Sequence, residues 1–178
     1  MGSTGEDFTM EQVNDAFIAQ TIKRFDAGFT RILHSIRQLD DKLIWKRPSS
    51  HSNSIGIILQ HLVGNLNQWV CAAVGKEEYE RDRPQEFREN NKRPKDIMVT
   101  EFTDLANRIT RILSDLDSST LLSNRRIQGF DETGLSALYK ATTHLELHAG
   151  QIIYIAKYFL NEKYEESWKP ATEEQGKE

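Results

Sequence analysis

The chain has 178 residues, 38% of them hydrophobic and 28% charged, with a net charge of −4. That is the balance of one soluble globular domain, able to bury roughly 70% of its unfolded surface. It disfavours a nucleic-acid partner, which calls for clustered basic charge, and a membrane partner, since no apolar run approaches the ~20 residues that span a bilayer. With Cys71 as its lone cysteine, the chain has no internal disulfide, and a cytoplasmic location is expected.

Residues 1–8, MGSTGEDF, lack a signal-peptide pattern and read as a flexible start. A first helix is predicted from about Thr9 to Leu39, where Phe17, Phe25, Phe29, Ile32, Ile36 and Leu39 recur at threes and fours. Asp40 and Asp41 end it, and KLIWKRP reads as a turn or short extended piece. The second helix begins after Asn53 or Ser54, either of which can cap it. It buries Ile55, Ile58, Leu59, Leu62, Leu66, Trp69 and Val70, and Gly75 is expected to close it in the left-handed conformation.

A long charged connection follows, KEEYERDRPQEFRENNKRPKD, of a length often tied to function. The third helix is predicted from about Asp96 or Thr100 to Asp117, and the last from about Glu132 to Leu160. SSTLLSNRRIQGFDET joins the two, and no alternating stretch is long enough for a real sheet. The expectation is an all-α four-helix bundle over 9–162 and a polar C-terminal tail over 163–178. Cys71 reads as a small buried residue.

Histidines mark the candidate site. At about 100° per residue, His144, His148, Gln151 and Ile155 share one narrow sector of the last helix. Glu146 points nearly the opposite way, toward solvent. Residues at i and i+4 can hold one metal ion, as in the HExxH helix, but here the spacer is LEL and the glutamate is misplaced for a zincin base. His61, on the shoulder of the second helix's apolar stripe, is the natural third ligand. The alternative for each is a hydrogen-bonded core histidine. His34 and His51 read as exposed.

The stretches NSIGIILQHLVGNLNQW, RDRPQEF, IQGF and THLELHAGQIIYIAKYF, in that order, resemble the DinB-like superfamily, in a branch without a settled activity. The resemblance covers roughly Phe17 to Leu160. It implies a four-helix bundle with one divalent metal, and it implies His61, His144 and His148 as the ligands. Characterised relatives include thiol S-transferases that use bacillithiol or mycothiol and a mycothiol-dependent maleylpyruvate isomerase. Others are described as metal-dependent hydrolases.

A three-histidine site accepts zinc, nickel or iron. The leading expectation is a bacterial-type enzyme that adds a low-molecular-weight thiol to a small electrophile, with the metal presenting the thiolate. The alternatives are a hydrolase using metal-bound hydroxide, or a non-enzymatic bundle that binds a metal or ligand. No residue is assigned a catalytic role beyond the metal and its bound water or thiolate; the three histidines are ligands rather than acid–base groups. Asn65 and Gln151 are candidates to support the ligands. Arg81 and Arg83 are candidates to hold substrate carboxylates, or else to pair with Asp82 and Glu86 and pin the long connection. A small-molecule partner is expected, and homodimer pairing through an outer apolar face is compatible with such a bundle.

Overall fold

Thr9 opens the first helix with a reciprocal cap: its hydroxyl accepts from Gln12 N–H, and the Gln12 side chain accepts from Thr9 N–H. From there α1 runs over Met10–Arg37. In the computed structural model, which describes residues 9–88 and 91–168, α2 (Asp41–Ile44), α3 (Ile55–Leu66), α4 (Arg83–Glu86), α5 (Lys95–Ser114), α6 (Ser119–Leu122) and α7 (Gly134–Leu160) follow. The expected flexible segment 1–8 and the last part of the polar tail, 169–178, lie outside the described residues.

The long helices α1, α3, α5 and α7 form a four-helix bundle. α1 packs on α5 and α7, and α3 packs on the same two, so α1 and α3 face each other across the diagonal. Their apolar stripes meet in one core. Phe25, Ile32, Leu62, Phe102, Ile109 and Leu145 are almost wholly buried there, and Phe29 meets Phe102 edge-on with ring centroids 4.9 Å apart. Among the described residues, no helix is long and apolar enough to cross a membrane.

Several local expectations are corrected. KLIWKRP begins as a helix rather than a turn or extended piece: Asp40 caps the short α2 through Leu43 N–H at 2.7 Å, and the turn comes at Trp45. Of the two cap candidates, Ser54 is the one that accepts from Ile57 N–H. The second helix does not end at a left-handed Gly75. Its last turn widens over Asn67–Ala72 into i→i+5 bonding, with Gly75 N–H donating to Val70 at 2.9 Å, and the left-handed residue is Lys76. The linker before the last helix holds a two-stranded antiparallel hairpin, β1 (Asn124–Ile127) with β2 (Phe130–Thr133). Its strands are too short for alternation to register, and its turn is marked only by Gln128 and Gly129, both at positive φ. The hairpin delivers Thr133 as the N-cap of α7, one residue beyond the expected Glu132.

Candidate metal centre

The site forms where α3 and α7 run side by side, beneath α4. His61 faces α7 from α3 and is 8% exposed. His144 and His148, one helical turn apart on α7, are half-buried. One ring nitrogen of each lies within 4.8 Å of the others, and His61 Nε2 is 2.9 Å from His144 Nε2.

Partners on the far side of two rings decide what the converging nitrogens can do. His61 Nδ1 is 2.9 Å from Glu86 Oε2. A carboxylate only accepts, so His61 Nδ1 carries the proton and Nε2 keeps its lone pair. The Nη2 of Arg81 also comes within 3.3 Å of that Nδ1, but donates to Glu86 at the shorter distance of 2.8 Å. On the other ligand, His148 Nδ1 lies 2.7 Å from Gln151 Oε1. With the amide oxygen as acceptor, the His148 proton sits on Nδ1 and its Nε2 is free as well. The lone pairs converging from His61 and His148 are accommodated by a cation between them or, for His61, by a proton on His144 Nε2, which lies at hydrogen-bond distance.

A second proton on these rings is discouraged. Burial, then the charges of His148, His61 and Arg81, pulls the His144 pKa from 6.5 to about 4. Burial also lowers His148, partly offset by its bond to Gln151. These rings are therefore neutral near pH 7, the form that binds a metal. The donor set fits a divalent ion that accepts imidazole, such as zinc, nickel or iron.

Glu86 is the group that sequence reasoning did not assign to the site. It is buried on α4, twenty-five positions from His61. Burial raises its pKa, but hydrogen bonds from His61 and Arg81 outweigh that effect and hold it below the usual carboxylate value. Arg81 grips it with a two-pronged fork, Nε to Oε1 at 2.6 Å and Nη2 to Oε2 at 2.8 Å, and reaches Gln68 at 3.1 Å. The Arg81 side chain is only 4% exposed, so its guanidinium serves the protein rather than open space. Arg83 is exposed, with its guanidinium 5.2 Å from the Phe87 ring centroid, and Phe87 is 5.2 Å from the His61 ring.

A local signal for Glu86 did exist. Gly64 follows His61 by three positions in an otherwise apolar helix, where glycine disfavours the helix. A Cβ at Gly64 would lie 2.7 Å from the Glu86 carboxyl carbon and overlap its oxygen. The missing side chain is the space through which Glu86 reaches His61. Asp82 and Pro84 give the short α4 its start.

The remaining candidates fall as follows. Gln151 touches His148, as described. Asn65 sits one turn beyond His61, and its buried Oδ1 has no hydrogen-bond partner. Glu146 does not simply face solvent: Arg31 on α1 holds both its oxygens at 2.6 Å, tying α7 to α1. His34 is half-buried, its Nε2 2.6 Å from the Glu165 carbonyl. His51 is exposed, and Cys71 is a buried free thiol whose pKa burial raises.

The three-histidine cluster at the seam of the bundle fits a metal-binding protein. The chain belongs to the family described as "Protein of unknown function (DUF1572)", whose model matches residues 12–171. Among solved structures it is similar to a DinB-like protein from Bacillus cereus ATCC 10987, with 12% identity and a TM-score of 0.63 over 80% of this chain and 90% of that one. At that identity the likeness concerns the fold. No curated protein matches the chain.

Proposed function

We propose that residues 9–162 form a metal-dependent enzyme unit in which His61, His144 and His148 hold one divalent ion, and that it transfers a low-molecular-weight thiol to a small electrophile. The ion would supply Lewis acidity that favours the deprotonated form of a bound thiol. The protein's part is positional. Glu86 and Gln151 fix the proton on Nδ1 of His61 and His148 and aim each Nε2 inward. Arg81 holds Glu86 in place. Arg83, exposed beside Phe87, is the proposed contact for a carboxylate on the thiol or its acceptor.

One observation carries the choice of a thiol over hydrolysis. The carboxylate nearest the histidines, Glu86, is ionised but committed to His61 and Arg81 at every short contact. It is poorly placed to take a proton from attacking water. A thiol needs no such base, because coordination itself favours the thiolate. The net charge of −4 agrees with a small-molecule substrate rather than nucleic acid.

The test begins with elemental mass spectrometry of untagged protein beside a His144→Ala/His148→Ala variant. About one metal per chain, lost in the variant, is the expected result. A cobalt-loaded sample is then titrated with small thiols. A shifted visible spectrum and thiol-dependent conjugation of an aryl halide support the transferase. An unchanged spectrum, with ester or amide turnover that needs no thiol, overturns it in favour of hydrolysis.

A further inference from the structure

The outward face of α7 is built unlike an ordinary solvent face. Leu135, Tyr139, Leu147, Gly150, Tyr154 and Tyr158 share one side of the helix, three or four positions apart except across Thr143, where Leu147 follows Tyr139 by two turns. Tyr139, Leu147, Tyr154 and Tyr158 are each 60–75% exposed. With Leu135 they present on the order of 600 Å² of side chain, the upper end of what a monomer leaves in one apolar patch. The charges on the same face are each paired, Glu146 with Arg31 of α1. Lys140 pairs with Glu132 and lies over the Trp69 and Phe130 rings. Lys157 pairs with Glu166. Aromatic enrichment is a mark of an interface core.

Gly150 adds a separate observation. The other described glycines have a reason within the chain. A Cβ at Gly28, Gly56, Gly64, Gly75 or Gly134 would press on a neighbour, and Gly129 has a positive φ. At Gly150, a helical position, a Cβ would meet nothing within 4 Å. Glycine is a poor helix former, and here nothing inside the chain calls for it. A bare backbone between Leu147 and Tyr154 is what the close crossing of another helix requires.

We infer that this stripe is a homodimer interface, in which α7 of a second copy crosses α7 near Gly150. A twofold pairing is favoured because the patch approaches the ~800 Å² that each partner contributes to a standard stable interface, and a twofold axis lets one patch serve both sides. The interface is independent of the metal reading.

The full-length chain tests it by analytical ultracentrifugation, at micromolar and at tenth-millimolar concentration. The expected mass is twice the 20.6 kDa of the chain. Gly150→Leu is the sharpest variant, because its Cβ meets nothing within 4 Å in the monomer, whereas the side chain collides at the crossing. Gly150→Leu and Tyr154→Glu should each weaken dimerisation by at least about tenfold, with an unchanged far-ultraviolet dichroism spectrum. A wild-type chain that stays monomeric at both concentrations overturns the inference. So does a dimer that survives both substitutions, since another face then makes it. If removing residues 1–8 or 169–178 converts a monomer to a dimer, the chain's own end covers the stripe, and a second copy is not its natural occupant.

Discussion

The seam between α1 and α5 and the seam between α3 and α7 bury similar helices by different means. The first closes with aromatic packing, Phe29 against Phe102, and depends on shape alone. The second carries His61, His144 and His148 and needs an outside segment, α4 with the residues just before it, to supply Glu86 and Arg81. An apolar seam is complete with two helices. A polar seam must satisfy each donor and acceptor, and here that requires a third piece of chain.

The largest expected effect comes from breaking the apolar seam. Phe102→Ala removes a wholly buried ring and should cost about 3–5 kcal/mol in urea unfolding, while the folded fraction keeps its metal stoichiometry. Loss of metal along with stability would show that the seams are not separable. Gly64→Ala should do the reverse. Its Cβ displaces the Glu86–Arg81 pair, so metal affinity should fall about a hundredfold, the upper end of the effect of losing a ligand's supporting contact. Unchanged affinity in a chelator competition would remove Glu86 from the site.

Glu86→Gln keeps the shape but weakens the acceptor, and metal affinity should drop about tenfold. Acid gives a smaller signal in metal-free protein. With His144 pulled from 6.5 to about 4, the ring is neutral in both states above pH 6.5. Between 6.5 and about 4 the unfolded chain takes up a proton that the folded chain refuses. Stability should therefore fall as pH drops through that window, by about 1–2 kcal/mol after allowance for solvent at a half-buried ring. His144→Asn should flatten this slope in urea titrations at stepped pH. The smallest effect is expected from Gln151→Ala, on an exposed partner, at a few-fold in metal affinity.

These differences also explain what could be read from the sequence. The apolar seams announce themselves through the three-and-four spacing of Phe25, Phe29, Ile32 and Ile36 and of Phe102, Leu105 and Ile109. The placement of His144 beside His148 follows from helix geometry, and His61 from its position beside an apolar stripe. Glu86 left only the indirect trace of Gly64, because nothing periodic links it to His61; the link is a loop closure across twenty-five positions. Arg81 was equally ambiguous, since its charge suits a substrate carboxylate as well as a buried one. The hairpin was missed because four-residue strands are shorter than any pattern that alternation can establish. Gly150 carried a signal that only space could interpret, because a helical glycine looks the same whether it faces its own core or another surface.

The fit between Gly64 and Glu86 bears on protein design. A histidine triad copied onto another bundle would bring the ligands without what aims them. The transplantable unit is larger: the H-x-x-G of α3, the H-x-x-x-H-x-x-Q of α7, and the R-x-R-P-x-E segment laid over them. Moved together, they carry their own tautomers; moved apart, each histidine must find its orientation anew.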